Sequence, residues 1–159
     1  MIPAREMATI RRYCEILSKE SRTGPASAKF MAWARQFGIP EEALRCFEAC
    51  WVTQRLDGGI RQYGPLFHTT AIIRRTEKDP KYVSAGLAEI GACPNGDVIA
   101  LDARSKKGAV VYISHEHYWG SELDPRDCLI RVARSLPDFA VGAERATLPM
   151  DYWEATEGG

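Results

Sequence analysis

The chain reads as a single α+β domain in which helices pack on a mainly antiparallel sheet. Three observations predict this. Apolar residues recur at three- and four-residue steps through the first third of the chain, the spacing of amphipathic helices. The middle holds two short apolar runs, Val98–Leu101 and Val110–Ile113, separated by a polar A-R-S-K-K-G segment at 103–108. Helices followed by strands, rather than strict alternation of the two, describe an α+β arrangement.

Met7, Ile10, Tyr13, Cys14 and Leu17 outline a first helix, and Ser18–Ser27 reads as a polar connector turning at Gly24-Pro25. Phe30, Trp33, Ala34 and Phe37 form one side of a second helix, with Gly38 suited to its C-terminal cap. Pro40 predicts the first position of a third helix, where a missing N–H is harmless, and Glu41 and Glu42 favour its positive end. Its stripe of Leu44, Phe47 and Trp51 predicts a helix continuing toward Asp57-Gly58-Gly59. Gly59–His68 reads as a loop around Gly64-Pro65. Thr69–Lys78 predicts a short fourth helix stopped by Asp79-Pro80.

Leu87–Ile90, Asp97–Asp102 and Ala109–Ser114 are the strand candidates. The last two are continuously apolar, so a sheet covered on both faces is expected. Residues 103–108 have a length that suits a hairpin loop. Asp124 as N-cap and Pro125 as first residue predict a closing helix reaching Ser135, with Leu129, Ile130, Val132 and Ala133 as its apolar face. Leu136–Gly159 shows no clean periodicity.

Composition narrows the function classes. Lysines and arginines number 21, as do aspartates and glutamates, giving zero net charge. That argues against a general nucleic-acid binder or a basic membrane-surface protein. The apolar runs are far too short for a membrane span, and Arg11, Arg12 and Glu15 interrupt any signal-peptide core, so a cytoplasmic location is expected. Charge is uneven along the chain. Residues 1–40 hold an excess of cations, whereas residues 136–159 carry Arg145 against Asp138, Glu144, Asp151, Glu154 and Glu157. Termini of opposite sign either steer a charged partner or lie near one another. Cys14, Cys46, Cys50, Cys93 and Cys128 form no C-x-x-C pair, and all five are expected to be small buried thiols.

Sites of chemistry are few. His115-Glu116-His117 would place two imidazoles on one face of a persisting strand, a pairing that suits a transition metal. Neither Asp97, Asp102 nor His68 stands at ligand spacing to complete such a site, so no metal and no cofactor is expected. Cys93 with His115 could be drawn as a nucleophile pair, but nothing local lowers the thiol pKa. In Pro94-Asn95-Gly96-Asp97, Gly96 permits positive φ and Asp97 can accept nearby backbone N–H groups, a structural turn at the strand entrance. No phosphate-binding glycine motif, nucleophile elbow or zinc-protease motif occurs, and no catalytic residue is assigned. Trp33 and Trp51 read as core. Tyr118, Trp119, Tyr152 and Trp153 fall outside periodic segments, where they either anchor a binding surface or cover the sheet edge.

The run I-G-A-C-P-N-G-D-V-I-A-L-D, continuing after the loop as G-A-V-V-Y-I-S-H-E, resembles the SUKH superfamily. That superfamily groups fungal cell-wall assembly regulators with bacterial toxin-immunity proteins. The resemblance spans roughly residues 40–135, from Gly58-Gly59 through Gly96-Asp97 and His115-Glu116 to the segment after Asp124. Residues 1–27 look like an added or divergent helical portion. The resemblance implies an α+β fold and a non-enzymatic role, binding and neutralising a cognate toxin domain. The alternative it leaves open is a regulatory or scaffold protein with another protein partner, and a metal-dependent enzyme using His115 and His117 is the remaining class. Chemistry places the expected partner-binding surface at His115, Glu116, His117, Tyr118 and Trp119, together with Glu144, Asp151, Tyr152, Trp153 and Glu154.

Overall fold

The computed structural model describes Ala4, Arg5, Ala8, Arg12 and residues 21–55, 66–118 and 123–157. In chain order the elements are β1 (Ser21–Gly24), α1 (Ala28–Phe37), α2 (Glu41–Ala49) and β2 (Trp51–Arg55), then α3 (Thr69–Lys78), α4 (Pro80–Ala85), β3 (Leu87–Ala92), β4 (Val98–Asp102) and β5 (Ala109–Ile113). A short helix α5 (His115–Tyr118), a 3-10 turn (Pro125–Cys128), β6 (Leu129–Ala133), α6 (Leu136–Glu144) and α7 (Tyr152–Glu157) follow among the described residues. Strands β3-β4-β5-β6 form one antiparallel sheet, and β1 pairs with β2 in a separate antiparallel ribbon. The α+β class expected from the residue pattern is the one observed.

Alternation across the sheet decides what covers each face. Ala88, Ile90, Ile99, Leu101, Val110 and Tyr112 look toward one side, where they meet Phe30 and Ala34 of α1, Leu44 and Phe47 of α2, Ile72 of α3 and Phe139 of α6. Leu87, Ala100, Val111 and Ile113 look the other way, onto Tyr82 and Ala85 of α4 and Cys128. Every residue of β5 is buried, as two covered faces require. Burial of each such aliphatic side chain contributes about 1.5–3 kcal/mol. Aromatic contacts knit the larger core: Phe47 lies 4.9 Å from Phe30 and 4.5 Å from Trp51, ring centre to ring centre. Trp51 is fully buried and donates its indole N–H to the Phe67 carbonyl at 2.8 Å.

Local chemistry sets the helix ends. Ser27 Oγ accepts the Phe30 N–H at 3.1 Å to start α1, and Gly38 ends it with φ of 97°. His68 Nδ1 accepts the Ala71 N–H at the start of α3. Asp79 then terminates α3 and, through Oδ1, caps α4 by accepting the Lys81 N–H at 3.0 Å. Asp79-Pro80 therefore stops one helix, as expected, and opens another that periodicity did not reveal.

Five expectations are corrected. The Ser18–Ser27 connector contains strand β1. The third helix ends at Ala49 instead of running toward Asp57, and Pro40 is its N-cap residue. Cys50 is extended (φ −166°, ψ 125°), and Trp51-Val52-Thr53 continues as a strand, which suits β-branched and aromatic residues. Asp124 and Pro125 do open a helical turn, with Asp124 Oδ1 accepting the Arg126 N–H, but only one 3-10 turn follows before β6. Leu129–Ala133 pairs with β5, so cross-strand partners override the apparent helical stripe. The aperiodic Leu136–Gly159 segment contains α6 and α7. Among the cysteines, Cys46, Cys93 and Cys128 are buried thiols, but Cys50 is disulfide-bonded rather than free. The helix expected over Met7–Leu17 lies outside the described residues, apart from Ala8 and Arg12, which are helical.

The β4–β5 hairpin fixes the middle of the sheet, and its closing residue is Gly108, with φ of 77°. A Cβ there would lie 2.9 Å from Ala43 Cβ on α2 and 3.5 Å from Leu101 Cδ2. Gly108→Ala therefore combines backbone strain with a clash against the helix layer. We expect it to lower the unfolding free energy by about 2–4 kcal/mol in a urea titration.

Candidate functional site

The turn before β4 and the end of β5 meet at one carboxylate. Asn95 Oδ1 accepts the Asp97 N–H at 3.0 Å, and Gly96 takes φ of 97°, so the Asx turn is made by Asn95 and not by Asp97. This frees the fully buried Asp97 side chain for partners far away in sequence. Its Oδ1 accepts the His115 backbone N–H at 3.0 Å and sits 2.5 Å from His115 Nδ1. Its Oδ2 accepts the Tyr152 backbone N–H at 2.9 Å and the Asn95 side-chain amide at 3.0 Å. Burial alone would raise the carboxyl pKa, but the backbone and side-chain donors of His115, Tyr152 and Asn95 outweigh it and hold the group below its ordinary value. Asp97 sits at the turn as expected, but its carboxylate accepts backbone N–H groups distant in sequence instead of the nearby ones.

Asp97 brings together several of the residues proposed for partner binding. The start of α5, with His115 and Glu116, and the start of α7, with Asp151 to Glu154, are held against the same carboxylate. Trp153 Nε1 donates to Glu116 Oε2 at 3.2 Å, while 42% of Trp153 remains exposed. Tyr152 is half-buried and packs against the main core, its ring edge-on to Trp153 at 6.0 Å. Asp151 and Glu154 form a reciprocal cap on α7. Asp151 Oδ1 accepts the Glu154 N–H at 2.9 Å, and Glu154 Oε2 accepts the Met150 N–H at 3.0 Å. Tyr112, deep in the sheet, donates its hydroxyl to the Pro149 carbonyl at 2.8 Å and so pins the segment that leads into α7.

Other predicted residues fall elsewhere. Glu144, at the end of α6, is outside this hydrogen-bond network and pairs with Arg12, which brings the oppositely charged ends of the chain together. His117 and Tyr118 belong to α5, so His115 and His117 stand on a short helix and not on a persisting strand. Trp119 lies outside the described residues. Among the described residues no group of three or more His, Cys, Asp or Glu side chains is placed to hold a metal ion. Cys93 is buried, and burial, with Asp97 and Asp151 nearby, pushes its thiol pKa far up, which leaves it a poor nucleophile.

Sequence reading missed two features. Arg126 clamps Asp102 with two parallel bonds, Nη1 to Oδ1 at 3.0 Å and Nη2 to Oδ2 at 2.9 Å, and Nη1 also reaches the Ala85 carbonyl at 3.0 Å. This ties the end of β4 to α4 and the 3-10 turn. The second feature is a cavity of about 580 Å³ between α3, α4 and the back of the sheet. Its walls include Arg74, Arg75, Lys78, Tyr82, Glu89, Val98, Ile113 and His115. Glu89 sits on the inner wall, where burial raises its carboxyl pKa against the opposing pull of Arg75, 3.6 Å away. The only signal for this cavity in the sequence is the R-R-x-x-K spacing, which puts Arg74 and Lys78 one turn apart on α3.

Comparison with known proteins finds no matching family model, no match among curated proteins and no match among solved structures.

The depressed pKa of Asp97 fixes a sign for its pH dependence. An unfolded aspartate titrates near ~3.9, so the stability that Asp97 contributes is fully present above that pH. It drains away as pH falls from there through the lower folded value. We expect Asp97→Ala to cost about 3 kcal/mol or more at neutral pH, because the donors on His115 and Tyr152 lose their acceptor. The difference from the parent protein should shrink in acid unfolding curves below about pH 4.

Proposed function

We propose that this chain is a non-enzymatic protein-binding module, an immunity protein that binds and neutralises a cognate toxin domain in the cytoplasm of the producing cell. The observation that carries the reading is the patch around Trp153. An exposed indole is bordered by Glu116, Asp151 and Glu154, on a backbone that Asp97 holds in place before any partner arrives. A preformed surface spends little free energy on ordering itself during association, and exposed tryptophans are frequent anchors of tight interfaces. Residues 146–157 carry three acids and no lysine or arginine, so the matching surface on the partner is basic. The likeness of residues 40–135 to the SUKH superfamily supports the same reading. His115, Tyr152 and the short α5 act here as the frame of the patch.

The test is capture followed by rescue. Tagged protein drawn from its native host should recover a polypeptide that is toxic when expressed alone and harmless when co-expressed with this chain. Trp153→Ala should weaken that complex by about 2 kcal/mol or more in calorimetry, while the variant still unfolds in one cooperative transition in urea. A Trp153→Ala protein that binds and rescues at full strength would remove the patch from consideration. Absence of any toxicity in the captured partner would remove the immunity role.

A further inference from the structure

The cavity behind the sheet is separate in character from the acidic patch. Its floor is apolar: half-buried Val98 of β4 lies there, backed by the buried side chains of Ile113 of β5 and Tyr82 of α4. Its rim is cationic, because Arg74, Arg75 and Lys78 all project from α3. The acids in its walls are already committed. Asp79 caps α4 through the Lys81 N–H, and Glu89 faces Arg75. Arg75 is in turn held over the Phe67 ring, 4.2 Å from its centre. Among the described residues the Arg74 and Lys78 side chains make no hydrogen bond or close ion pair, Lys78 acting on Glu89 only at longer range, which leaves two exposed positive charges at the mouth of an apolar recess. His115 completes one wall with its Nδ1 turned to Asp97, so its ring is fixed there and Nε2 is the nitrogen left for a ligand.

We infer that this cavity binds a small amphipathic anion, an apolar or aromatic body carrying one carboxylate or sulfonate group. A volume of about 580 Å³ is in the range that encloses such a molecule. The body would lie on Val98 above Ile113 and Tyr82, and the anionic group would meet Arg74 and Lys78 at the rim. A purely local role for those cations, offsetting the negative end of α3, needs no cavity and no ligand. The inference does not need the toxin-binding reading: the two sites share His115, but the acidic patch has neither the cations nor the apolar floor.

The probe is anilinonaphthalene sulfonate, which has an aromatic body and a single anionic group, compared with the neutral anilinonaphthalene that lacks the sulfonate. We expect saturable fluorescence enhancement at one site per chain, with the neutral compound at least about tenfold weaker. The Arg74→Glu/Lys78→Glu double variant should also bind the sulfonate at least about tenfold more weakly, while Trp153→Ala should bind it as the parent does. Methyl resonances of Val98 and Ile113 should shift on titration. Equal affinity for the neutral compound, undiminished affinity in the double variant, or shifts confined to residues away from the cavity would each overturn the inference.

Discussion

A buried carboxylate is expensive to desolvate, and Asp97 persists in the interior because His115, Asn95 and Tyr152 together supply donors to both its oxygens. Those donors come from the turn before β4, the end of β5 and the start of α7; the β4–β5 ladder already brings the first two together, and Asp97 adds the third. One charge thus ties the strand end to the C-terminal helix, alongside the Tyr112 bond to the Pro149 carbonyl. The hydrophobic core would hold the sheet against α1, α2 and α6 without it. It holds α7 only lightly, since no residue of α7 is fully buried and only Tyr152 and Ala155 pack against the core.

The core was legible because two periodicities were strong. Val98–Leu101 and Val110–Ile113 are strands with the hairpin the intervening polar residues imply, and Phe30, Ala34, Leu44 and Phe47 occupy the interior as their spacing suggests. Errors gathered where a short apolar segment fits either period. Leu129–Ala133 has the composition of an edge strand and the spacing of a helix face, and only its ladder with β5 decides between them. Trp51 suits a helical stripe equally well, yet it begins β2.

The candidate surface was half legible, for a different reason. Aromatic and acidic residues outside periodic segments marked Glu116 and Trp153 for the same surface, and the structure puts them in contact although 37 positions separate them. What no local pattern carries is the link that makes them neighbours. The Asp97 bond to the Tyr152 N–H spans 55 positions and involves a backbone group that every residue but proline possesses. The Arg126–Asp102 clamp was hidden in the same way, as two ordinary charges far apart in the chain.

The outer border of β3 shows how the fold limits its own associations. The Glu89 N–H is taken by Thr76 Oγ1 at 3.0 Å, the Ile90 carbonyl by the Phe67 N–H at 2.8 Å, and Leu66 bridges Gly91. Backbone groups that would otherwise template another chain are thus spent internally. Growth of the ladder in that direction would require stripping away a helix and the residues leading into it. Recognition there must proceed through side chains, and a fibril-like stacking of copies along that border is closed off by construction.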